Sequence, residues 1–205
     1  MKTTTLLFKP IALLGLWLAT SLAHASGQIS YNYVQLIYFD IDYDDVSFGA
    51  DGVEMSGSAL LSDQVYATAS LARAETDRFT NTLNQQGSVE MDGLSLGLGF
   101  RQPLADNTDL NIKAAFLRSK MKTKGGFSSA SDSDNGHGFS VGLRHLVNQR
   151  FELNLSGNYT DIWDDSDTSI GVAALVHFTS RFTAGMGYSI SSDADTLSLG
   201  LRMSL

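Results

Sequence analysis

The 205-residue chain contains no cysteine. A disulfide framework and a thiolate metal site are therefore excluded. Only two prolines interrupt it, which leaves room for long unbroken strands. Beyond the N-terminal leader no apolar run approaches about 18 residues, so helical membrane spans are excluded as well. Basic residues are scarce: 14 Lys and Arg stand against 22 Asp and Glu. That balance makes nucleic acid and anionic surfaces poor partners.

What is present begins with an export leader. Lys2 and Lys9 precede an apolar run from Ile11 to Leu22, and Ala23-His24-Ala25 places small residues where a signal peptidase reads. Residues 1–25 are expected to be a signal peptide cleaved before Ser26, leaving residues 26–205 as one domain. Removing Lys2 and Lys9 leaves 12 basic against 22 acidic residues, a formal charge of −10 for the mature chain.

The dominant pattern is a period of two. In Thr196 to Leu205, Leu197, Leu199, Leu201, Met203 and Leu205 share one parity, and Ser198, Gly200, Arg202 and Ser204 the other. Such alternation defines a β-strand with one apolar and one polar face. About ten such residues suffice to cross a bilayer in a barrel, lipid outside and a polar lumen inside.

The pattern recurs along the chain. Strands are predicted at Ser30–Asp42, Val53–Leu61, Val65–Glu75, Ser88–Arg101, Thr108–Lys120, His137–Leu146, Arg150–Ile162, Ile170–Phe178 and Phe182–Ile190, before the C-terminal one. The facing of the first is ambiguous, because both Val34, Leu36, Tyr38 and Tyr33, Ile37, Phe39 are apolar sets. Thr76–Gly87 and the low-complexity stretch Lys122–Gly136 read as long loops. The expected fold is all-β: a transmembrane antiparallel up-and-down barrel of ten strands, with eight as the alternative. An exported β-sandwich explains the alternation equally well but would make the apolar parity a core. Phe100, Phe151, Phe178 and Phe182 fall beside short turns, as an interfacial aromatic girdle would.

Two sets of charges are candidate functional residues. Glu54, Arg101, Lys113, Arg144, Glu152 and Arg202 lie on the polar parity. They either fill a narrow lumen as ion pairs or line a water path and set its ion preference. The lumen faces of the predicted strands four, eight, nine and ten are mostly small residues, so that half is roomy unless strand one turns its aromatics inward. Asp42, Asp44, Asp45, Asp164, Asp165 and Asp167 form a predicted acidic outer rim, a candidate divalent-cation contact without the spacing of a calcium loop. Asp134 with His137, and His177-Phe178-Thr179, only faintly echo barrel hydrolases.

The stretches S-Y-N-Y-V-Q-L-I-Y at Ser30–Tyr38, D-G-V-E-M-S-G-S-A-L-L at Asp51–Leu61 and Y-A-T-A-S at Tyr66–Ser70 resemble a family of small outer-membrane β-barrels, the diffusible-signal-factor-regulated or opacity-type proteins. The resemblance implies the barrel and brings no catalytic motif. Such barrels usually end in an aromatic residue that the assembly machinery recognises; this chain ends in Leu205. The expected role is structural or surface-interacting in a Gram-negative outer membrane, without catalytic activity or cofactor. The alternatives are a narrow porin-like channel or an enzyme acting on lipid A or peptides. Expected partners are outer-membrane lipid, lipopolysaccharide and the barrel-assembly machinery, with the chain a monomer.

Overall fold

The computed structural model describes residues 29–44, 48–80, 86–125 and 130–205. The predicted signal peptide lies outside the described residues. The elements are β1 (Tyr33–Tyr43), β2 (Ala50–Leu60), β3 (Val65–Thr76), β4 (Phe79–Thr80), β5 (Gln86–Ala105), β6 (Thr108–Gly125), β7 (Ser131–Asn148), β8 (Phe151–Ile162), β9 (Asp165–His177), β10 (Phe182–Ser191) and β11 (Ala194–Ser204). Sequential neighbours from β1 to β3 and from β5 to β11 pair antiparallel, β1 pairs with β11 in unbroken register from Tyr33↔Ser204 to Tyr43↔Ala194, and β3 pairs with β5. β4 adds a two-residue pairing to β5. The result is a closed barrel of ten strands. Closure leaves the barrel wall without an unpaired strand edge, the condition for crossing hydrocarbon.

Burial runs opposite to that of a soluble sandwich. Ser56, Ser58, Asn111, Glu152, Thr183 and Arg202 are buried, whereas Met55, Leu96, Ile170, Leu199 and Leu201 are exposed. Apolar residues therefore face outward around the wall, as lipid requires. The predicted girdle residues Phe100, Phe151, Phe178 and Phe182 all face outward near the turns.

β1 settles its own ambiguity. Tyr33, Gln35, Ile37, Phe39, Ile41 and Tyr43 point inward, and Val34, Leu36 and Tyr38 outward. A glycine opposite makes room: a methyl group on Gly52 would come within 2.6 Å of Phe39, and in the same way one on Gly99 of β5 would overlap the Tyr66 ring of β3.

The end carrying the short turns also carries Leu205, whose N–H donates to the Asn32 carbonyl at 3.1 Å. The opposite end departs from expectation at two places. The predicted loop Lys122–Gly136 is largely strand: β6 continues to Gly125 and β7 begins at Ser131, with Lys122↔Ser131 and Lys120↔Ser133 in register. Residues 126–129 lie outside the described ones. β5, β6 and β7 thus hold 20, 18 and 18 residues, a flap standing roughly 20 Å beyond strands of ordinary spanning length at about 3.3 Å per residue. The β8–β9 connection is a tight turn with Trp163 at φ 64° and Asp164 at φ 57°, the left-handed pair that matches hairpin twist.

Candidate functional site in the barrel interior

Inward parity brings the predicted lumen charges together. Arg144 and Glu152 are wholly buried, with Arg144 Nε donating to Glu152 Oε1 at 2.9 Å. His177 Nε2 lies 3.4 Å from the other Glu152 oxygen, and its Nδ1 is 2.9 Å from Thr183 Oγ1. Arg101 Nε pairs with Asp109 at 3.3 Å. The Arg202 guanidinium lies 3.5 Å from the Tyr33 ring centroid and donates to Gln35, whose amide in turn donates to Ser56 at 2.9 Å. Glu54 and Lys113, both buried, attract one another. Arg101, Lys113, Arg144 and Arg202 are thus nearly balanced by Glu54, Asp109 and Glu152. Opposite charges so close lower the cost of removing each from water.

The turn end of this layer is stoppered by the segment that precedes β1. Tyr31 is fully buried, its ring 4.7 Å from that of Tyr66, in a cluster with Ile29 and Leu146. Arg101 and Arg144 lie 5.0 and 4.7 Å from the Tyr31 ring centroid. The same two side chains donate to the carbonyls of Ile29 at 3.3 Å and Ser30 at 3.2 Å. Two arginines therefore hold the backbone and ring of one segment.

At the other end the interior is apolar. Phe39, Ile41, Tyr43, Ala50, Ala74, Met91 and Ala194 form one cluster, and Ala115, Leu117 and Ile162 another with Trp163 against it. Between the layers a cavity of about 40 Å³ is lined by Gln35, Asn154, Leu175, Gly185 and Ser198 among others. That is room for a few waters at about 10–15 Å³ each. The half-lumen that small residues leave roomy is filled in part, by Tyr33, Ile37 and Phe39 from β1 and by Leu175 from β9, and the cavity lies in what remains.

The acidic rim is less uniform than predicted. Asp42, Asp44, Asp164 and Asp165 are exposed, and Asp45 lies outside the described residues. Asp167 is turned inward, buried, and accepts from Ser192 Oγ at 2.9 Å. Among the described residues no group of three or more His, Asp or Glu side chains converges to hold a metal ion. Asp134 and His137 face opposite sides of β7: Asp134 accepts from the Trp163 N–H at 2.7 Å, while His137 packs on Phe139 and Tyr159. They form no dyad. His177 does not sit at the lipid interface with Thr179 but in the lumen on Glu152, while Thr179 Oγ1 accepts from turn amides.

Asp109, Tyr31 and Gln35 were not among the expected lumen residues, and His177 was named only beside Thr179. Asp109 shares the inward parity of Asn111 and Lys113, and His177 has the parity opposite to Val176 and Phe178, so both facings were readable; Tyr31 and Gln35 needed partners that only the folded barrel supplies.

These features define a class: a closed antiparallel barrel of outer-membrane type with an ion-paired interior. The chain belongs to the outer membrane protein beta-barrel domain family, whose profile matches residues 11–188. No curated protein sequence matches it. Among solved structures, the translocator domain of the autotransporter NalP from Neisseria meningitidis is similar at TM-score 0.59 and 11% identity, over 87% of this chain and 91% of that one. The NanC porin is similar at TM-score 0.53 and 10% identity, over 84% of this chain and 100% of that one. The KdgM porin in complex with disordered oligogalacturonate is similar at TM-score 0.50 and 8% identity, over 83% and 99%. At these identities the likeness is one of fold.

Proposed function

We propose that the mature chain is a non-catalytic, closed-lumen barrel of the outer membrane that presents the β5–β7 flap outside the cell as a contact surface. The observation that carries this reading is the occupied interior: the Arg144–Glu152–His177 network, held against Tyr31 at one end and backed by the Phe39 cluster at the other. Ion pairs made by side chains with little exposed surface stabilise a wall, whereas a conducting path needs solvated ones. The Thr183–His177–Glu152 row has the order of a nucleophilic relay. Burial of Thr183 and the hold of Arg144 on the same carboxylate support a structural role for it instead.

Short turns belong on the periplasmic side and longer hairpins outside. The absence of native cysteine makes this testable. Ser133→Cys on the flap is expected to react with a membrane-impermeant maleimide on intact cells, and Asn148→Cys at a short turn only after the outer membrane is broken. The reverse labelling would overturn the orientation. Two of the similar folds are porins, which makes a conducting lumen the competing reading.

A further inference from the structure

The outward face of β3, β5 and β6 changes character over a few residues. Cross-strand rows run Ala67–Leu98–Ala114, Ala69–Leu96–Phe116, Leu71–Leu94–Arg118, Arg73–Asp92–Lys120 and Glu75–Glu90–Lys122. The first two rows contribute to a shallow apolar trough of about 890 Å³, its floor kept low by Ala67, Ala69 and Ala114. The last two are ionic. The mature chain is acidic overall, yet Arg73, Arg118, Lys120, Lys122 and Lys124 project outward here, against Glu75, Glu90 and Asp92.

The carboxylates are already engaged. Glu90 pairs with Arg73, Lys122 and Lys124, and Asp92 with Lys122 at 3.0 Å. Arg118 and Lys120 are exposed and make no ion pair among the described residues. Arg118 stands beside Leu94 in register, where the apolar band stops. On β1, β2 and β11 the outward residues towards the same end are Asp40, Asp42, Asp51 and Asp195, with Asp40 opposite Asp51 and Asp42 opposite Asp195. An anion is repelled there and attracted on β6.

We propose that the outer wall of β3, β5 and β6 binds a phosphorylated glycolipid of the outer leaflet, its phosphates on Arg118 and Lys120 and an acyl chain in the trough below. Two independent features converge on one occupant, a cationic pair at interface height and an apolar trough leading to it. The assignment to the outer leaflet rests on the orientation proposed above. Binding itself does not, so cysteine labelling and lipid binding can fail separately.

The test uses the refolded mature chain in phosphatidylcholine nanodiscs, with bisphosphorylated lipid A as probe and dephosphorylated lipid A as comparison, read by native mass spectrometry. The parent is expected to retain the bisphosphorylated form at least tenfold better. Arg118→Gln with Lys120→Gln is expected to lower retention about 25-fold, at roughly fivefold per neutralised charge beside an anionic headgroup. Arg150→Gln with Arg181→Gln at the turn end is expected to leave it unchanged. Equal retention of the two lipid forms, or an equal loss in the turn-end variant, would overturn the proposal. Should the flap variant fail to give a heat-modifiable barrel, the comparison of lipids on the parent decides alone.

Discussion

Replacing Arg144 by Met tests whether the interior is dry. The guanidinium is fully buried, gives Glu152 a hydrogen bond of 2.9 Å, donates to the Ser30 carbonyl at 3.2 Å and lies on the Tyr31 ring. Removing it leaves a buried carboxylate with His177 Nε2 3.4 Å away. Breaking one side of a buried pair costs about 3–5 kcal/mol, because the surviving charge stays desolvated. His177 offsets part of this, while the lost Ser30 bond adds about 1 kcal/mol. The expected net loss is about 3–4 kcal/mol in reversible urea unfolding from lipid vesicles, followed by Trp163 fluorescence. Arg144→Met with Glu152→Met removes both charges at similar volume and is expected to recover to within about 1 kcal/mol of the parent. A loss below about 1 kcal/mol for the single substitution would mean that water already solvates Glu152 and that the interior is not dry.

Gly99→Val is expected to cost about 1–3 kcal/mol in the same assay, because the Tyr66 ring occupies the space a side chain needs; an unchanged midpoint would show that Tyr66 lies elsewhere. Asp164→Gly is expected to stabilise by about 1 kcal/mol by relieving the left-handed backbone at φ 57°; a loss of stability would place the turn in another conformation. On the flap, hydrogen bonding to Lys124, with help from Lys122 and Arg73, holds the Glu90 carboxyl down to about 2. A carboxyl depressed on folding contributes stability above its unfolded value, and that contribution is lost as pH falls from about 4.5 towards 2. Glu90→Gln is therefore expected to flatten the acid limb of flap protection in hydrogen exchange, and an unaltered limb would separate Glu90 from those cations.

The strands were legible because lipid on one side and a polar lumen on the other impose a strict period of two. Where that contrast vanished, legibility vanished with it. β1 is apolar on both faces, since Tyr33, Phe39 and Tyr43 pack inside while Val34 and Leu36 meet lipid; only the neighbouring glycines decide between them. In the flap, residues 122–124 and 131–136 include no apolar side chain, so no hydrophobic alternation marked them as strand, although the described parts of β6 and β7 pair in continuous register. All six predicted lumen charges point inward, because parity alone fixes facing. Their pairing was illegible: Glu152 meets Arg144 eight residues away and His177 from another strand, and Tyr31 arrives from before the first strand. The outward basic row on β6 carries the same alternation as the apolar residues beneath it, but the overall acidity of the chain hid it.

Single-channel recording of refolded residues 26–205 in a planar bilayer reads out whether side chains close the lumen. No conductance steps above the bilayer background are expected in molar potassium chloride. Steps are expected to appear when Tyr31→Ala and Arg144→Ala are combined to release the turn-end stopper. Well-resolved steps from the unaltered chain would show that its lumen is open.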